Sequence, residues 1–306
     1  MVATERIGLI GAGLMGHGVA KNILEKGYAV AVLAHRNRAP VDDLIGRGAT
    51  EAASAAELAR TSDILFTCVS DSAVLDRVVH GPSGVLAGAH EGLVLVDLTT
   101  ADPSATRRLA DDLAARGVRM LDAPMTLTPK EAEEGTLNLL VGGDPDLLER
   151  VRPVLETFTR QIFYTGPLGS AHTLKLVNNF LSQGTNALVV EAIVTALKAG
   201  VDPAMLRDVI SVSGGNSTSF QRLVRVVTGE AAGGGGAFAI RNALKDVDYF
   251  VRLAEAEGAY NPLGEAVRRF FRLAVALGYG DEMLPKLFEV QGRLSGAELP
   301  GGKGRE

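Results

Sequence analysis

The chain has little cysteine, no tryptophan and few aromatic residues, and each shortage excludes a class of protein. Of its 306 residues, only Cys68 is a cysteine and only 5% are aromatic. One cysteine cannot form an intrachain disulfide or by itself a structural zinc site, which fits a reducing compartment. The five histidines show no metal-ligand spacing, so no metal is expected.

Basic runs and targeting signals are also missing. The net charge is -5, and without a long basic stretch we expect no nucleic-acid partner. The opening "MVATERIGLIGAG" lacks a basic n-region and glycines break its apolar run, so a signal peptide is not indicated. No apolar stretch looks long and uncharged enough to span a bilayer. These features predict a cytoplasmic protein without a membrane partner.

The first half alternates apolar runs of strand length with helical patterns. Near-continuous apolar strands separated by helices are typical of a parallel sheet that is covered on both faces. We therefore predict a Rossmann-type α/β domain with a doubly wound parallel sheet over residues 1–165. The predicted strands span residues 6–10, 29–34, 63–69, 93–98, 118–123 and 137–142.

After about residue 165 the pattern is helical only. Residues 170–198 read as one helix that ends before Gly200, about 45 Å long at 1.5 Å per residue. We predict an all-α domain over 166–296 for substrate binding and oligomerisation, and a disordered tail over 297–306. The remaining helices are predicted at 203–212, 217–228, 238–257, 263–277 and 282–291, with "GEAAGGGGAF" as a flexible interruption.

A glycine-rich loop follows the first predicted strand and opens a helix. Gly11, Gly13 and Gly16 give the spacing G-x-G-x-x-G, with Leu14 and Met15 before the last glycine. The first glycine permits a tight turn, the second lets a pyrophosphate approach, and the third allows close packing of helix on strand. The helix N-terminus favours the anion. The context predicts a dinucleotide site, with a structural glycine turn as the alternative.

The exit of the second predicted strand indicates which dinucleotide binds. An NAD site usually carries an acidic residue about 20 residues after the glycines. This chain instead has "LAHRNRAP", with His35, Arg36 and Arg38 and no carboxylate. Because arginine can pair with the 2′-phosphate of NADP, we predict NADP as the preferred cofactor, with NAD possible. Solvated surface cations would explain the charges but not the missing acid.

The stretch "HTLKLVNNF" places polar residues inside the long predicted helix. Lys175 and Asn179 are four residues apart and therefore share a helical face. A lysine can exchange protons near neutral pH if burial lowers its pKa, and an amide one turn away can orient an oxygen. Spacing alone leaves an alternative open, in which the lysine snorkels and the amide is a satisfied core group.

Five segments in order over nearly the whole chain resemble the β-hydroxyacid dehydrogenase family, which includes 3-hydroxyisobutyrate dehydrogenase and the glyoxylate and succinic semialdehyde reductases. The resemblance implies a 6-phosphogluconate dehydrogenase-like fold, a Rossmann domain followed by a helical domain, with the active site between them and a nicotinamide cofactor. The segments are "GLIGAGLMGHG", "DLTTADP" (97–103), "DAPMTLTPKEAEEGTL" (122–137), "GPLGSAHTLKLVNN" (166–179) and "KDVD" (245–248).

The same resemblance implies residue roles. Lys175 matches the catalytic acid/base, and Asn179 matches the amide that helps to hold the substrate. In the substrate loop, Thr126, Leu127 and Thr128 stand where the family commonly has Ser-Gly-Gly, so the backbone approach to a substrate carboxylate is narrower. The positions that match cofactor contacts are Val69, Ser70, Thr100 and Lys245.

These observations predict an NAD(P)-dependent oxidoreductase that interconverts a small β-hydroxy acid and its semialdehyde by hydride transfer, with lysine as acid/base. Two alternatives remain at this stage. One is an imine reductase on the same fold, although such enzymes generally carry an acid or a tyrosine at the catalytic position. The other is a non-catalytic NADP-binding sensor module. The apolar long helix further predicts a homodimer or homotetramer.

Overall fold

A computed structural model describes residues 5–230 and 238–297 of the chain. These residues divide into two compact units, with the division between Lys175 and Leu176. It falls inside the long helix because the first turn of that helix is anchored to the first unit. The domain boundary near residue 165 stays a prediction. Most of "GEAAGGGGAF" and nearly all of the predicted tail lie outside the described residues.

The first unit is built on a sheet of nine strands within the described residues. Six strands are mutually parallel in the order β3-β2-β1-β4-β5-β6, followed by β8 and β7, with β9 paired to β8. The strands are β1 (Arg6–Ile10), β2 (Ala29–Leu33), β3 (Thr50–Ala52), β4 (Ile64–Thr67), β5 (Val94–Asp97), β6 (Arg119–Asp122), β7 (Met125–Thr126), β8 (Leu137–Gly142) and β9 (Thr159–Gly166).

The predicted Rossmann-type fold is confirmed, with one difference in strand direction. All six predicted strands form, but β8 runs antiparallel to β6 and to β7. Its connection from β6 contains β7 and the six-residue helix α7 (Pro129–Glu134) rather than a full crossover helix. Strand β7 pairs with β8 in the same antiparallel sense, so β8 enters the sheet as part of an antiparallel edge.

Helices cover both faces of the sheet because side chains alternate between them. Ile7 and Leu9 of β1 belong to one buried cluster, whereas Ile10 belongs to the opposite one. Phe66 and Phe158 meet edge to face in the first cluster, with ring centroids 5.9 Å apart. The covering helices besides α7 are α1 (Gly16–Glu25), α2 (Ala39–Gly46), α3 (Ala55–Thr61), α4 (Ser72–His80), α5 (Val85–Gly88), α6 (Pro103–Ala114) and α8 (Pro145–Leu155).

The second unit is helical, as predicted. It contains the larger part of α9 (Ser170–Lys198), whose bounds match the predicted helix. Its own apolar core is formed by α9 and the helices that follow it. Those helices are α10 (Pro203–Ser211), α11 (Thr218–Val227), α12 (Ile240–Ala256), α13 (Pro262–Ala274), extended by a π-type turn (Val275–Tyr279), and α14 (Leu287–Ser295), preceded by a 3-10 turn (Leu284–Lys286).

Helix α9 also corrects one expectation drawn from the sequence. By length and composition it could cross a membrane, and it is the one helix of this kind among the described residues. The expectation that no stretch would be long and apolar enough was therefore wrong on these two criteria. Core helices of soluble proteins meet the same criteria, so the observation carries no further conclusion.

Candidate active site

The glycine loop lies at the carboxyl end of β1, and its backbone leaves room only for glycine at two positions. A Cβ atom at Gly11, whose φ is +103°, would lie 2.2 Å from the carbonyl oxygen of Cys68. A Cβ atom at Gly16 would lie 2.1 Å from the carbonyl oxygen of Gly11. At Gly13 no heavy atom lies within 4 Å of the Cβ position. The loop thus closes tightly at its ends and is open at its middle, where a pyrophosphate would approach.

A cavity of about 680 Å³ opens beside this loop in the first unit. It lies where the strand order changes direction, at the carboxyl ends of β1, β2 and β4, which is where open α/β sheets bind ligands. Its volume is in the range of small-molecule and cofactor sites. The predicted cofactor residues that line it are Gly11, Gly13, His35, Arg36, Val69 and Ser70.

Cys68 borders this cavity and directly follows β4; its side chain is half-buried. Burial raises the pKa of its thiol to about 12, which disfavours the thiolate that a nucleophile requires. The geometry therefore favours a packing role for Cys68.

The two arginines considered for the 2′-phosphate, Arg36 and Arg38, lie in different surroundings. Arg38 does not line the cavity, because its guanidinium pairs with Glu51 at 2.9 Å and with Asp42 at 3.1 Å. The hydrogen bond to Glu51 raises the pKa of Arg38 further above its ordinary value. Arg36 does line the cavity, together with Arg77 of α4, which the sequence gave no reason to select. Neither guanidinium has a hydrogen-bond acceptor in the part of the chain that the structure describes.

A buried carboxylate at the end of β5 organises the neighbouring strand ends. One oxygen of Asp97 accepts from the hydroxyl of Thr67 at 2.8 Å and from the backbone N–H of Thr99 at 3.1 Å. The Thr99 hydroxyl in turn accepts from the backbone N–H of Val69 at 3.2 Å. Burial raises the pKa of Asp97. Thr100, the predicted cofactor contact, follows Thr99 directly and is partly buried.

The start of α9 is anchored to the end of β6. The two carboxylate oxygens of Asp122 accept from the backbone N–H groups of Gly169 and His172, each at 2.8 Å. Gly169 directly precedes α9, and His172 belongs to its first turn, where backbone N–H groups lack partners within the helix. A carboxylate at that end also interacts favourably with the helix dipole. Asp122 thereby fixes the position of the turn that precedes Lys175.

Lys175 follows one turn after His172 on α9 and is the last residue of the first unit. Only 9% of its surface is exposed, which is unusual for a lysine. Lys175 is therefore not an exposed surface lysine. Its role as an acid/base stays a prediction.

In the second unit, Asn179 is held in one orientation. Its side-chain N–H donates to Asp246 at 2.6 Å, and its carbonyl oxygen accepts from Asn178 at 3.1 Å. Asn179 is buried, so the amide is a defined group with one oxygen lone pair left to accept a further bond. Lys245, the predicted cofactor contact on α12, lies with its Nζ atom 3.1 Å from Asp246. Asp246 was not selected from the sequence, although it belongs to the "KDVD" segment.

The substrate loop keeps the backbone of a glycine at a leucine. Leu127 has φ of +81° and is the one non-glycine residue with positive φ in ranges 5–230 and 238–297. Half of its side chain is exposed. Thr126 pairs with Asn138 in the sheet, and Thr128 caps α7 in a reciprocal capping box with Glu131. The Thr128 N–H is therefore committed to Glu131.

Comparison with known proteins agrees with this geometry. Residues 6–166 match the family model of the NAD-binding domain of 6-phosphogluconate dehydrogenase, and residues 169–288 match that of the NAD-binding region of NADP-dependent 3-hydroxyisobutyrate dehydrogenase. The chain is 30% identical to 2-(hydroxymethyl)glutarate dehydrogenase of Eubacterium barkeri, over 99% of this chain and 100% of that one. It belongs to the β-hydroxyacid dehydrogenase family.

Solved structures support the same assignment. A 3-hydroxyisobutyrate dehydrogenase from Salmonella typhimurium superimposes with a TM-score of 0.81 at 27% identity, covering 94% of this chain and 99% of that one. An imine reductase from Myxococcus stipitatus shares the fold alone, with a TM-score of 0.63 at 23% identity over 94% and 99% of the two chains. As a β-hydroxyacid dehydrogenase family member, the chain is an NAD(P)-dependent oxidoreductase of the class that acts on CH–OH groups.

Replacing Leu127 by glycine and by alanine tests the backbone strain at the substrate loop. Both variants delete the same half-exposed side chain, but only glycine adopts positive φ without steric cost. We expect L127G to be more stable than L127A by about 1 kcal/mol in urea unfolding. At an ordinary exposed position the order is reversed. An L127A variant as stable as L127G, or more stable, would show that the left-handed conformation is absent in solution.

Proposed function

We propose that this chain is an NADP-preferring dehydrogenase that interconverts a small β-hydroxy acid and its semialdehyde, with Lys175 as the acid/base. The observation that carries the proposal is a nearly buried lysine in a helix anchored at the carboxyl edge of a dinucleotide-binding sheet. The names of relatives support the substrate class, since they include 2-(hydroxymethyl)glutarate dehydrogenase and 3-hydroxyisobutyrate dehydrogenase.

The preference for NADP rests on the cations that line the nucleotide cavity. Arg36 and Arg77 present guanidinium groups without an acidic partner in the described ranges, and no carboxylate lines this cavity to accept from a ribose 2′-hydroxyl. Glu51, an acid on the neighbouring strand β3, is already paired with Arg38. Arg36 and Arg77 therefore suit a dianionic 2′-phosphate better than a hydroxyl.

Removing these two arginines should reduce discrimination between the cofactors. We expect R36Q and R77Q each to raise the KM for NADPH by about tenfold or more, because a hydrogen bond to a charged group contributes about 1.5–3 kcal/mol. The KM for NADH should change by less than threefold, as measured by steady-state kinetics with each cofactor. R38Q serves as the comparison and should affect NADPH least. A loss confined to R38Q would assign the 2′-phosphate to Arg38 instead.

The protein groups in this proposal position the substrate and move one proton. When bound, the reduced nicotinamide supplies the hydride that adds to the carbonyl carbon. Lys175, as an ammonium, donates a proton to the carbonyl oxygen and stabilises its developing negative charge. In the direction of oxidation it accepts the proton of the substrate hydroxyl. Asn179, held by Asp246, offers its carbonyl oxygen to orient a substrate hydroxyl.

Replacing Lys175 by alanine should abolish most of the turnover while the cofactor still binds. General acid–base catalysis contributes about 10²- to 10⁴-fold, so we expect kcat for K175A to fall by at least 10²-fold. K198A is the matched control, since Lys198 is an exposed lysine at the other end of the same helix. NADPH binding, followed by fluorescence, should be retained in both. A loss of less than tenfold in a folded K175A variant would remove Lys175 from the chemistry.

Two other functions are compatible with the fold but agree less well with the buried lysine. An imine reductase would share the architecture, but the likeness to solved imine reductases concerns the fold alone, and the buried lysine suits a hydroxyl better than an imine. A silent sensor module would not need Lys175 buried one turn beyond an anchored helix start. Turnover of cyclic imines without turnover of semialdehydes, or NADPH binding without any turnover, would favour these alternatives.

The assembly and location remain part of the proposal. We infer that the protein is cytoplasmic. We also infer a homodimer or homotetramer, because α9 exposes apolar side chains on the second unit. Leu181 and Leu188 are 64% and 68% exposed and, seven residues apart, lie on one helical face. A second copy of the chain would bury such a face.

Mass measurement tests the assembly. We expect light scattering at micromolar concentration to give two or four times the 32.0 kDa mass of the chain. L181E should shift the mass toward the monomer, because a charge in an apolar interface is costly. The matched control is V212E, which places a charge at an 89% exposed apolar residue beyond the end of α10. A monomeric wild-type protein would contradict the inferred assembly.

A further inference from the structure

Two buried polar atoms face each other beside the anchored start of α9 without a hydrogen-bond partner. They are Oδ2 of Asp97 and Nε2 of His172, which lie 3.7 Å apart. Both side chains are completely buried. Neither atom has a hydrogen bond to any described residue. Leaving a buried donor or acceptor without a partner is costly, so the pair requires an explanation.

The hydroxyl of Thr106 limits the tautomers of His172. It lies 2.7 Å from Nδ1 of His172 and 3.1 Å from the carbonyl oxygen of Asp102. If the hydroxyl donates to Nδ1, the neutral ring carries its proton on Nε2, facing Asp97. If the hydroxyl donates to Asp102, Nδ1 carries a proton, and a bare Nε2 would face a bare carboxylate oxygen. Only a second proton, on Asp97 or on Nε2, relieves that repulsion.

Every acceptable arrangement therefore places one proton between Asp97 and His172. The other charged group that faces the imidazole is Asp122 on β6, whose Oδ2 lies 3.8 Å from Nδ1. Asp122 already accepts two backbone N–H groups, so its charge is compensated by the helix start. On α9 itself, the next ionisable residue is Lys175, one turn later. Asp97 is the only group of this set with an uncommitted carboxylate oxygen.

We propose that Asp97 and His172 share one buried proton, and that this pair positions the first two turns of α9 and with them Lys175. Both are positioning residues, and the inference rests on the proposed acid/base role of Lys175. Three strand or helix ends converge on the pair, namely β5 through Asp97, β6 through Asp122 and α6 through Thr106. The pair links the first turn of α9 to the end of β5, the strand that Thr99 and Thr100 follow in the chain.

Because Asp97 is buried and shares this proton, its carboxyl group loses a proton less readily in the folded state than in the unfolded chain, and stability should therefore depend on pH. Burial raises the pKa of Asp97 above its ordinary value of 3.8. Between pH 3.8, the ordinary pKa, and the raised pKa in the folded state, the folded protein binds more protons than the unfolded chain. The free energy of unfolding therefore falls as pH rises through this range. Above the raised pKa this contribution is constant. An asparagine at position 97 cannot titrate and should remove the decline.

The same substitution at two buried aspartates separates the proposal from a merely structural role. D97N mimics the protonated carboxyl, because its carbonyl oxygen can accept from Thr67 and Thr99 while its N–H₂ faces Nε2 of His172. In D122N the amide N–H₂ would face a backbone N–H group, because both oxygens of Asp122 accept from backbone N–H groups. We expect D122N to lower the Tm by about 5 °C or more and D97N to change it by about 2 °C or less.

Kinetics and pH profiles of D97N, D97L and H172L complete the test. D97N should keep kcat within about threefold of the wild type, whereas D97L and H172L should each lose at least about tenfold. Urea unfolding at several pH values should show the decline above pH 3.8 in the wild type and not in D97N. An unchanged decline in D97N, or a D97N variant as impaired as D97L, would overturn the shared proton. These stability measurements stand even if K175A shows that Lys175 has no catalytic role.

Discussion

The anchoring of α9 by Asp122 is the interaction on which the rest of the site depends. The carboxylate ends β6, and it accepts the first N–H groups of a helix that continues for 29 residues. Asp122 thereby joins the sheet to the helix at the edge where the carboxyl ends of the parallel strands lie. The same edge carries the glycine loop after β1, the cavity-lining residues 68–70 after β4 and the hydrogen bonds of Asp97 at the end of β5. Because Lys175 lies one turn after His172, the anchored first turn of α9 determines its position.

The loop after β7 holds a leucine in a conformation that favours glycine. A leucine occupies a left-handed conformation that glycine adopts more easily, at a cost of roughly 1–2 kcal/mol. Strain of this kind persists where the surrounding structure determines it, and it concentrates at functional sites. Thr128 then directs α7 through its capping box. The loop therefore combines a strained backbone with an exposed apolar side chain at Leu127.

Local patterns in the sequence predicted the fold well, and contacts between distant residues were beyond their reach. Strand β1 and helix α9 were predicted with their observed bounds, because an apolar run and a long helical period are signals carried by neighbouring residues. Three strands were missed because they carry little such signal: β3 has three residues, β7 has two, and β9 has no fully buried residue. The antiparallel direction of β8 depends on a pairing that periodicity does not encode.

The same limit applies to the site. Gly11 and Lys175 could be selected from a motif and from a resemblance, whereas Arg77 and Asp246 could not, because their roles arise from what the fold places beside them. Arg38 looked equivalent to Arg36 in the sequence, yet its pairing with Glu51 separates the two.

The most direct test of the proposed role of Lys175 is a crystal structure with NADP and a β-hydroxy acid bound. We predict that Nζ of Lys175 lies about 2.6–3.2 Å from the substrate hydroxyl oxygen. A hydroxyl held by another ionisable group, with Lys175 out of reach, would contradict it.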